Sequence, residues 1–496
     1  MFSRQLKKGY PFTYRVRIVL RDVESIALIF RAQTEVCVTQ LSDSGKGITM
    51  RKVSIVGAGQ AGLILAHKLL RAGYEVALHS DRTSEDWLER STPTGAAYMY
   101  GENVAIESEL GLGHWNHLAP AGDGVHLSFC PTVGNELIEI HGRFKMSGYA
   151  VDQRLKNSRW LTEFVEKGGE LHIEEVTLER LEEIAKNSEL TYIAAGKSSI
   201  GGVIPRDAER SVYDKPQRNL TMLIAAGVKG WLGRCPFQPV KFNFFGDAGE
   251  CFWVPYYHRS AGKTWCVLFE AKTGSPMDEF GEAQSGEQVV EIAKRVIKKM
   301  VPWDWEVVKD MELAGNDRYS WLKGRFAPTV RKAFGKLPSG RLVAPLGDTS
   351  MLYDPIGGQG ANNATRMSSF YAERILERGK GAFDEEWLAG NFEAFWNWHG
   401  RRAYEFNNLL LEPLRPPARE ALLAALLSGK FADYFFGNFS SPMDYFPWID
   451  DLEAARAKIA EVTRAPWMLS AAIARAKVGN GQLKRVLGIP NFSRTV

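Results

Sequence analysis

A short apolar strand that runs directly into a glycine-rich turn limits what this chain can fold into. Residues 52–56 (KVSIV) include three β-branched apolar side chains, and Gly-Ala-Gly-Gln-Ala-Gly follows at 57–62. A helix-forming run continues to residue 70, and a second strand occupies 75–79. A strand, a G-x-G-x-x-G turn and a helix in this order are typical of dinucleotide-binding βαβ units. The sequence therefore predicts an α/β chain that contains such a unit.

The three glycines of this turn have separate roles. Gly57 permits the tight turn, Gly59 lets the backbone approach a pyrophosphate, and Gly62 lets the helix pack closely on the strand. The free N–H groups and the dipole at the helix N-terminus stabilise the phosphate charge. An acidic residue about 20 positions further on can bind a ribose hydroxyl, or it can simply cap the next turn. The predicted cofactor contacts in this region are Gly57, Gly59, Gln60, Ala61, Gly62, Asp81 and Arg82.

A second glycine-rich motif, about 290 residues downstream, favours a flavin over a nicotinamide. A buried strand ends at Gly347-Asp348, and residues 354–362 (DPIGGQGAN) then enter a helix. Asp348 can accept a hydrogen bond from a ribityl hydroxyl, while the turn brings backbone N–H groups to the isoalloxazine edge. The helix places its positive end where charge builds on the reduced ring. The predicted flavin contacts here are Gly347, Asp348, Pro355, Gly358, Gly360, Ala361 and Asn362.

Together these motifs resemble the FAD-dependent aromatic hydroxylases built on the p-hydroxybenzoate hydroxylase fold. In detail they are more similar to the oxygenase component of two-component styrene and indole monooxygenases. Residues 150–155 (AVDQRL) and 215–218 (KPQR) resemble segments of that family. The resemblance runs from about residue 51 to about residue 450. It implies a Rossmann-type FAD-binding domain, an antiparallel β-sheet substrate domain and a helical C-terminal region.

From these features we expect a discontinuous FAD-binding domain, formed by residues 50–205 and 335–375. The substrate-binding sheet is expected at 206–334 together with part of 86–149, since aromatic and β-branched segments recur there. Residues 376–496 are expected to form the helical region. Residues 1–49 carry eight basic and four acidic side chains and no secretory layout. We expect them to be a non-native or flexible extension before Met50, with a genuine arm or targeting segment as the alternative.

The chain departs from single-component hydroxylases at one position. Those enzymes carry an Asp-Gly pair after a strand, used in handling FAD and NADPH, whereas the strand at 190–195 is followed here by Gly196-Lys197-Ser198. The styrene-type oxygenases share this departure, because a separate reductase supplies their reduced FAD. The resemblance therefore implies an NADH:flavin reductase as partner. A second nucleotide fingerprint that could hold a nicotinamide is also absent from the sequence.

The resemblance also implies the reaction. Reduced FAD would react with O₂ to give a C4a-hydroperoxyflavin, which epoxidises an aromatic alkene such as styrene or indole. No side-chain nucleophile is needed, so no catalytic residue is predicted. The alternatives left open are a flavoprotein dehydrogenase or reductase, a self-sufficient NAD(P)H-dependent aromatic hydroxylase, and a flavin-binding protein that turns nothing over. A halogenase is disfavoured, since residues 303–307 (WDWEV) begin the W-x-W-x-I-P signature but lack its end.

The resemblance adds contacts beyond the two motifs. Arg90 is expected to reach the pyrophosphate and Arg154 the ribityl-phosphate side, with a surface ion pair as the alternative for each. The loop at 90–99 is expected to pass close to the flavin, where its small residues and a methionine look closer to the indole-type members. Its predicted substrate-pocket residues are Thr94, Ala96 and Met99.

Composition and charge limit the classes of partner and ligand that we expect for this protein. The excess of four positive charges lies entirely in residues 1–49, so the remainder is neutral and offers no basic face for nucleic acid. No apolar run approaches the roughly 18 residues that a membrane span needs. Five scattered cysteines predict neither disulfides nor a zinc ribbon and suit a reducing cytoplasm. His114 and His117 are spaced like metal ligands but lack a nearby cysteine, so no metal is expected. A homodimer is left open.

Overall fold

Two β-sheets organise the described part of the chain, which in this computed structural model comprises residues 51–93, 95, 98–196 and 199–487. The strands are β1 (Lys52–Val56), β2 (Glu75–Ser80), β3 (Tyr98–Met99), β4 (Ala121–Cys130), β5 (Ile138–Val151), β6 (Glu170–Ile173), β7 (Leu190–Ile193), β8 (Asn219–Ala226), β9 (Pro239–Phe245), β10 (Gly249–His258), β11 (Gly262–Ala271), β12 (Glu312–Leu313), β13 (Trp321–Gly324), β14 (Thr329–Val330), β15 (Gly335–Lys336), β16 (Leu342–Pro345) and β17 (Met351–Leu352). The helices are α1 (Gln60–Arg71), α2 (Ser84–Glu89), α3 (Gly101–Glu109), α4 (Gln153–Glu166), α5 (Leu178–Lys186), α6 (Gly286–Met300), α7 (Trp305–Val308), α8 (Gln359–Arg378), α9 (Glu385–Phe395), α10 (Arg401–Leu411), α11 (Pro416–Leu427), α12 (Gly429–Gly437), α13 (Leu452–Thr463) and α14 (Trp467–Val486).

The first sheet has six strands in the order β15-β16-β7-β1-β2-β6. Four of its five pairings are parallel, and the fifth, at the edge, joins β15 and β16 as antiparallel strands. The central strand β1 pairs on one side with β2 and on the other with β7, so Val53 lies opposite both Val76 and Leu190. Parallel strands of this kind are covered on both faces, which explains the almost continuous burial of β1.

The second sheet has nine strands in the order β12-β8-β11-β10-β9-β4-β5-β3, with β13 also paired to β8. The sequence predicts an antiparallel sheet, and most pairs are antiparallel. However, β4 runs parallel to β9, and the last residues of β5 pair in parallel with the end of β10. These parallel pairings arise because β4 and β5 precede β8–β11 in the chain and join their sheet at β9. No hairpin connects β4 to β9, so an antiparallel pairing is not imposed. The extra pairing closes β10, β9, β4 and β5 on themselves at one end.

Helices cover both faces of the second sheet. On one face α6 packs its buried side chains, including Val289 and Ile297, into a cluster with Trp253 and Phe269. On the other face the helices after residue 400 contribute aromatic side chains such as Phe431. Pro416 and Pro417 open α11, where a proline is tolerated because the first N–H groups of a helix have no partner. A parallel sheet, a mainly antiparallel sheet and a helical C-terminal region confirm the predicted fold class.

The described cysteines Cys130, Cys235, Cys251 and Cys266 are all buried and form no disulfide. Among the described residues, no helix combines the length and the apolar character that crossing a bilayer would require. The predicted domain boundaries themselves stay a prediction.

A buried ion-pair network joins α4 to the second sheet. Asp152 caps α4 and pairs with Arg154 at 2.7 Å, and the same guanidinium pairs with Asp317 at 2.6 Å. These three side chains are at most 3% exposed. Burial raises the pKa of Asp317, but hydrogen bonds from His258 and Arg259 and the charge of Arg154 bring it well below its usual range. Because buried charges without partners are costly, the network fixes α4 against this edge of the sheet.

We expect Arg154→Met to reduce the free energy of unfolding by about 3–5 kcal/mol, because it leaves two buried carboxylates without their shared cation. Urea unfolding at neutral pH measures this. Arg159→Met is the matched control, since Arg159 is half-exposed and pairs with Glu163 on the same helix. Its loss should stay below about 1 kcal/mol. Equal, small losses in both variants would contradict a structural role for the network.

The depressed pKa of Asp317 also sets a pH dependence. The folded state holds this carboxylate ionised at a pH where the unfolded chain would already take up a proton. The stabilisation is therefore complete above the ordinary aspartate pKa and is lost as the pH falls toward the lower folded value.

Candidate functional site

Two glycines of the first motif are required by packing, and the third borders open space. A Cβ atom on Gly57, whose φ is +119°, would lie 2.4 Å from the carbonyl oxygen of Ala194. A Cβ on Gly62 would lie 2.0 Å from the carbonyl oxygen of Gly57. A Cβ on Gly59 would meet nothing within 4 Å. The backbone at Gly59 is therefore accessible to a group as large as a phosphate.

The helices that follow the two motifs both begin without a side-chain cap. Gly59 precedes α1 and Gly358, in the left-handed conformation at φ +62°, precedes α8. Neither helix has an acidic residue in its first turn. The first N–H groups of a helix have no intrahelical partner, and the helix dipole makes that end positive. Both ends can therefore accept an anion or a polarised carbonyl.

Tertiary packing places the first turn of α1 against Gly347 and the second and third turns of α8. A Cβ on Gly347, at φ +60°, would lie 2.7 Å from the Cβ of Ala61. Ser368 of α8 donates a hydrogen bond to the carbonyl oxygen of Ala61 at 2.9 Å, and Gln60 donates to Thr365 at 3.0 Å. Motifs that lie about 290 residues apart in the chain are thus packed against each other.

Asp348 lies at the carboxyl end of β16, beside the start of α8. One of its carboxylate oxygens is 3.8 Å from the position that a Cβ on Gly360 would take. The side chain is half-buried. A carboxylate held beside an open glycine turn can accept hydrogen bonds from a polyol, which is the role predicted for it.

The turn of the second motif is held from behind by side-chain hydrogen bonds. Asp354 accepts from the backbone N–H of Ile356 at 3.2 Å, and the Tyr100 hydroxyl donates to the carbonyl oxygen of Gly357 at 3.0 Å. Gln359 donates to the same carbonyl oxygen at 2.9 Å. The shape of the turn is therefore set by the protein itself before any ligand binds.

Asn362 uses its whole amide within the protein. Its Oδ1 accepts from the backbone N–H of Tyr100 at 2.9 Å and from Asn103 at 2.8 Å. Its Nδ2 donates to the carbonyl oxygens of Tyr98 and Gly358 at 2.8 and 2.7 Å. An amide offers two donors and two acceptor sites, and all four are in use. The side chain clamps β3 to the turn, whereas the sequence predicts a flavin contact.

Four predicted charged contacts form ion pairs within the protein. Arg90 is mostly exposed and pairs with Asp86 at 2.5 Å, the alternative that the sequence left open. Asp81 and Arg82 pair with each other at 2.6 Å at the end of β2. Arg154 belongs to the buried network described above. A guanidinium that is fully buried between two carboxylates does not match the predicted contact with the ribityl-phosphate side, so its role is structural.

The predicted substrate-pocket residues fall on a loop that is only partly described. Met99 is buried in β3, opposite Tyr149 of β5. Thr94 and Ala96 lie outside the described residues, as do Lys197 and Ser198. Pro355 begins the one-turn helix at Pro355–Gly357, and Ala361 lies in the first turn of α8.

Sequence reasoning missed a buried polar group beneath the first turn of α1. Glu107 of α3 accepts from Gln60 at 2.7 Å and from Lys156 of α4 at 2.5 Å. Both charged side chains are at most 4% exposed. The group joins three segments that are separate in the chain, so no local pattern announces it.

Two groups of side chains could in principle hold a metal, although the sequence predicts none. Among the described residues, ligand atoms lie within 4.8 Å of one another in His126/His141/Cys235 and in His79/His172/Glu174. Burial, followed by the charge of Lys241, lowers the pKa of His126 well below its usual range. A second cation, Arg234, lies 3.1 Å from Glu139, the carboxylate that contacts His126. These cations disfavour a metal ion at the first group.

His114, one of the two histidines that are spaced like metal ligands in the sequence, forms an ion pair with Glu163 at 2.9 Å.

Comparison with known proteins identifies the relatives of this site. Residues 196–306 match the family model of the styrene monooxygenase A substrate-binding domain. Styrene monooxygenase StyA of Pseudomonas fluorescens is 26% identical over 400 residues, which cover 79% of this chain and 93% of that protein. A StyA from another Pseudomonas species matches to the same extent.

Solved structures show the same fold at low sequence identity. A flavoprotein/dehydrogenase from Cytophaga hutchinsonii has a TM-score of 0.57 at 14% identity, covering 86% of this chain and 99% of that chain. Halogenase PltM has a TM-score of 0.55 at 12% identity, covering 88% and 97%. A variant of PltM with the same score has been solved in complex with FAD. The comparisons confirm the predicted resemblance to a styrene monooxygenase-like, FAD-dependent monooxygenase.

We expect Gly59→Val to weaken FAD binding about ten- to a hundredfold, in line with the 1–3 kcal/mol typical of overpacking, without lowering stability. The reason is that its side chain would enter the open space above the turn. Fluorescence titration with FAD and thermal unfolding measure the two effects. Gly233→Val is the control, because a Cβ there also meets nothing within 4 Å. Unchanged FAD affinity in Gly59→Val would contradict the assignment of this turn.

Asp348→Ala should weaken binding of oxidised and reduced FAD by about tenfold or more, the effect of losing a hydrogen bond to a charged group. Asp348→Asn keeps an acceptor of the same size and should lose less. Isothermal titration with FAD distinguishes the two variants, and equal affinities in both variants and the unmodified protein would exclude a contact at Asp348.

Proposed function

We propose that this protein is the oxygenase component of a two-component monooxygenase. It would take reduced FAD from a separate NADH:flavin reductase and use O₂ to epoxidise an aromatic alkene such as styrene or indole. The observation that carries the proposal is the packing of the uncapped start of α1 against Gly347 and α8, with open backbone at Gly59 and the carboxylate of Asp348 beside Gly360 at the uncapped start of α8.

Each part of this surface suits one part of FAD. The N-terminus of α1 and the open backbone at Gly59 would hold the pyrophosphate. Asp348 would accept hydrogen bonds from the ribityl chain. The backbone N–H groups that open α8, from Gly360 onward, would meet the ring, and the positive end of the helix would stabilise negative charge there. When bound and reduced, FAD supplies the activation of O₂ and the transfer of one oxygen atom.

The protein's own contribution to the reaction is to position the substrate and exclude water. The residues behind the turn of the second motif are aromatic and buried. Tyr98 and Tyr100 pack edge to face at 5.5 Å, and Phe144 lies against both. Ligand sites for apolar molecules are lined mainly by such side chains, with few polar groups. A substrate site bordered by these side chains would favour an apolar aromatic molecule over a charged one.

An external reductant is favoured by the sequence after β7. The strand leads into Gly196 rather than the Asp-Gly pair of single-component hydroxylases, and the sequence has no second dinucleotide fingerprint. The curated relatives that span most of the chain bear the name styrene monooxygenase. The self-sufficient hydroxylase is therefore the less favoured alternative.

The test mixes the protein with NADH, FAD, O₂ and styrene or indole, with and without an unrelated NADH:flavin reductase. We expect oxygenated product only when the reductase is present, because the protein has no predicted site for NADH. Product is measured by chromatography and NADH by its absorbance. Asp348→Ala with reductase is the control for oxidation by free reduced flavin.

Two outcomes would contradict the proposal. NADH consumption by the protein without reductase would favour the self-sufficient hydroxylase. Tight FAD binding without product from either alkene, with reductase present, would favour the dehydrogenase alternative.

A further inference from the structure

A buried ion pair lies beneath the first turn of α1, the helix end that we assign to the pyrophosphate. The ammonium group of Lys156 in α4 donates to Glu107 of α3 at 2.5 Å, and the two side chains are only 4% and 3% exposed. The same ammonium group lies 4.8 Å from the centroid of the Trp160 ring, one turn further along α4. Because the face of an indole ring attracts a cation, Lys156 is held between a carboxylate and an aromatic ring.

Gln60 connects this ion pair to the start of the helix. It is the first residue of α1 and is 8% exposed. Its Nε2 donates to the carboxylate of Glu107 at 2.7 Å and to the hydroxyl of Thr365 in α8 at 3.0 Å. A carboxylate can only accept hydrogen bonds, so the nitrogen of the amide has to face Glu107. Gln60 therefore holds a buried carboxylate close to the positive end of α1.

A carboxylate at this place opposes the binding of an anion unless its charge is cancelled. The N-terminus of a helix attracts anions through its free N–H groups and its dipole, and α1 has no acidic residue of its own in the first turn. Glu107, brought there by tertiary packing, would repel a phosphate, and little water is present in the interior to weaken that repulsion. Lys156 supplies a positive charge in direct contact with Glu107, so the pair as a whole is neutral.

We propose that Lys156 is a positioning residue that acts through Glu107. It cancels the charge of this carboxylate, so that the start of α1 stays attractive to the pyrophosphate of FAD. The assignment of the pyrophosphate to this helix end rests on the proposed function. Glu107 can then hold Gln60, and through Gln60 the first turn of α1 stays joined to Thr365 of α8. Lys156 itself does not touch the cofactor, because its ammonium group is buried between Glu107 and a tryptophan ring.

The two partners of the pair should have opposite effects on the binding of an anion. Removal of the Lys156 charge leaves the carboxylate of Glu107, which repels phosphate. Removal of the Glu107 charge leaves the ammonium group of Lys156, which attracts phosphate. An ion pair that only held the fold together would weaken binding in both cases, since either change leaves one buried charge without its partner. The sign of the change in affinity therefore separates the two roles.

The first experiment measures the affinity of the full-length protein for FAD and for ADP, which carries a pyrophosphate without a flavin ring, by isothermal titration. We expect Lys156→Met to weaken the binding of both ligands about three- to tenfold, the effect of one uncompensated charge at close range. Glu107→Gln should bind both ligands at least as tightly as the unmodified protein does. The double variant Lys156→Met/Glu107→Gln should recover the unmodified affinity, because it leaves no unpaired charge beneath the helix.

Riboflavin and a second lysine serve as controls. Riboflavin has the ring and the ribityl chain but no phosphate, so its affinity should be the same in all of these variants. Lys68→Met is the matched variant, because Lys68 in the last turn of α1 contacts Ser369 and Glu373 of α8. It also joins the two helices, but at the opposite end of α1, and its loss should leave ADP affinity unchanged. Thermal unfolding shows whether each variant is folded, and Glu107→Gln and the double variant still test the inference if Lys156→Met is not.

The results distinguish this inference from the proposed function. Weaker ADP binding in Glu107→Gln, or the same ADP affinity in Lys156→Met as in the unmodified protein, would overturn the role of Lys156. Weaker riboflavin binding in Lys156→Met would also overturn it, because a ligand without phosphate reports a change of fold rather than of charge. If the expected pattern is found with ADP and FAD but no alkene is oxygenated with reductase present, the proposed function fails while the inference stands.

Discussion

The packing of the first turn of α1 against Gly347 and α8 is the contact on which the candidate site depends. At this point Ala61 lies so close to Gly347 that a side chain there would overlap it. The contact lies at the N-terminus of α1 and, through Ala364, in the second turn of α8. Each of the two N-termini carries free N–H groups and a partial positive charge. Anions and polarised carbonyls are attracted to such ends. A cofactor with both a pyrophosphate and a ring whose reduced form is negatively charged matches this pair of ends.

Buried charges hold the remaining parts of the molecule around that contact. Arg154 ties α4 to the loop that carries Asp317, and Arg218 binds Glu250 beneath the turn of the second motif. Lys156 and Glu107 pair under the start of α1. Removing either partner of such a pair destabilises the folded protein, because the remaining charge is left alone in the interior. Such pairs therefore tolerate little relative movement of the segments that they join, which favours a site of fixed shape.

Local sequence patterns anticipated the elements but not every role within them. Gly57 and Gly62 lie where the spacing predicts a tight turn and a close helix–strand contact, and neither position has room for a Cβ. Arg154 and Asn362 were predicted as flavin contacts, and both are engaged within the protein. Charge and motif position reveal that a residue is polar and near a site. They do not reveal which partner is closer, since the competing carboxylates and carbonyl oxygens come from distant parts of the chain.

The sequence by itself determined the βαβ unit and the second glycine-rich motif, because these follow from short-range periodicity and glycine spacing. The fold class followed from the family resemblance that these motifs carry. Only the tertiary structure decided that β4 runs parallel to β9, that Tyr100 and Asn362 brace the turn, and that the buried Glu250 and Glu270 lie opposite each other. Contacts of this kind join residues separated by tens to hundreds of positions. Their energies depend on burial and on distance through space, and neither quantity is encoded in any local segment.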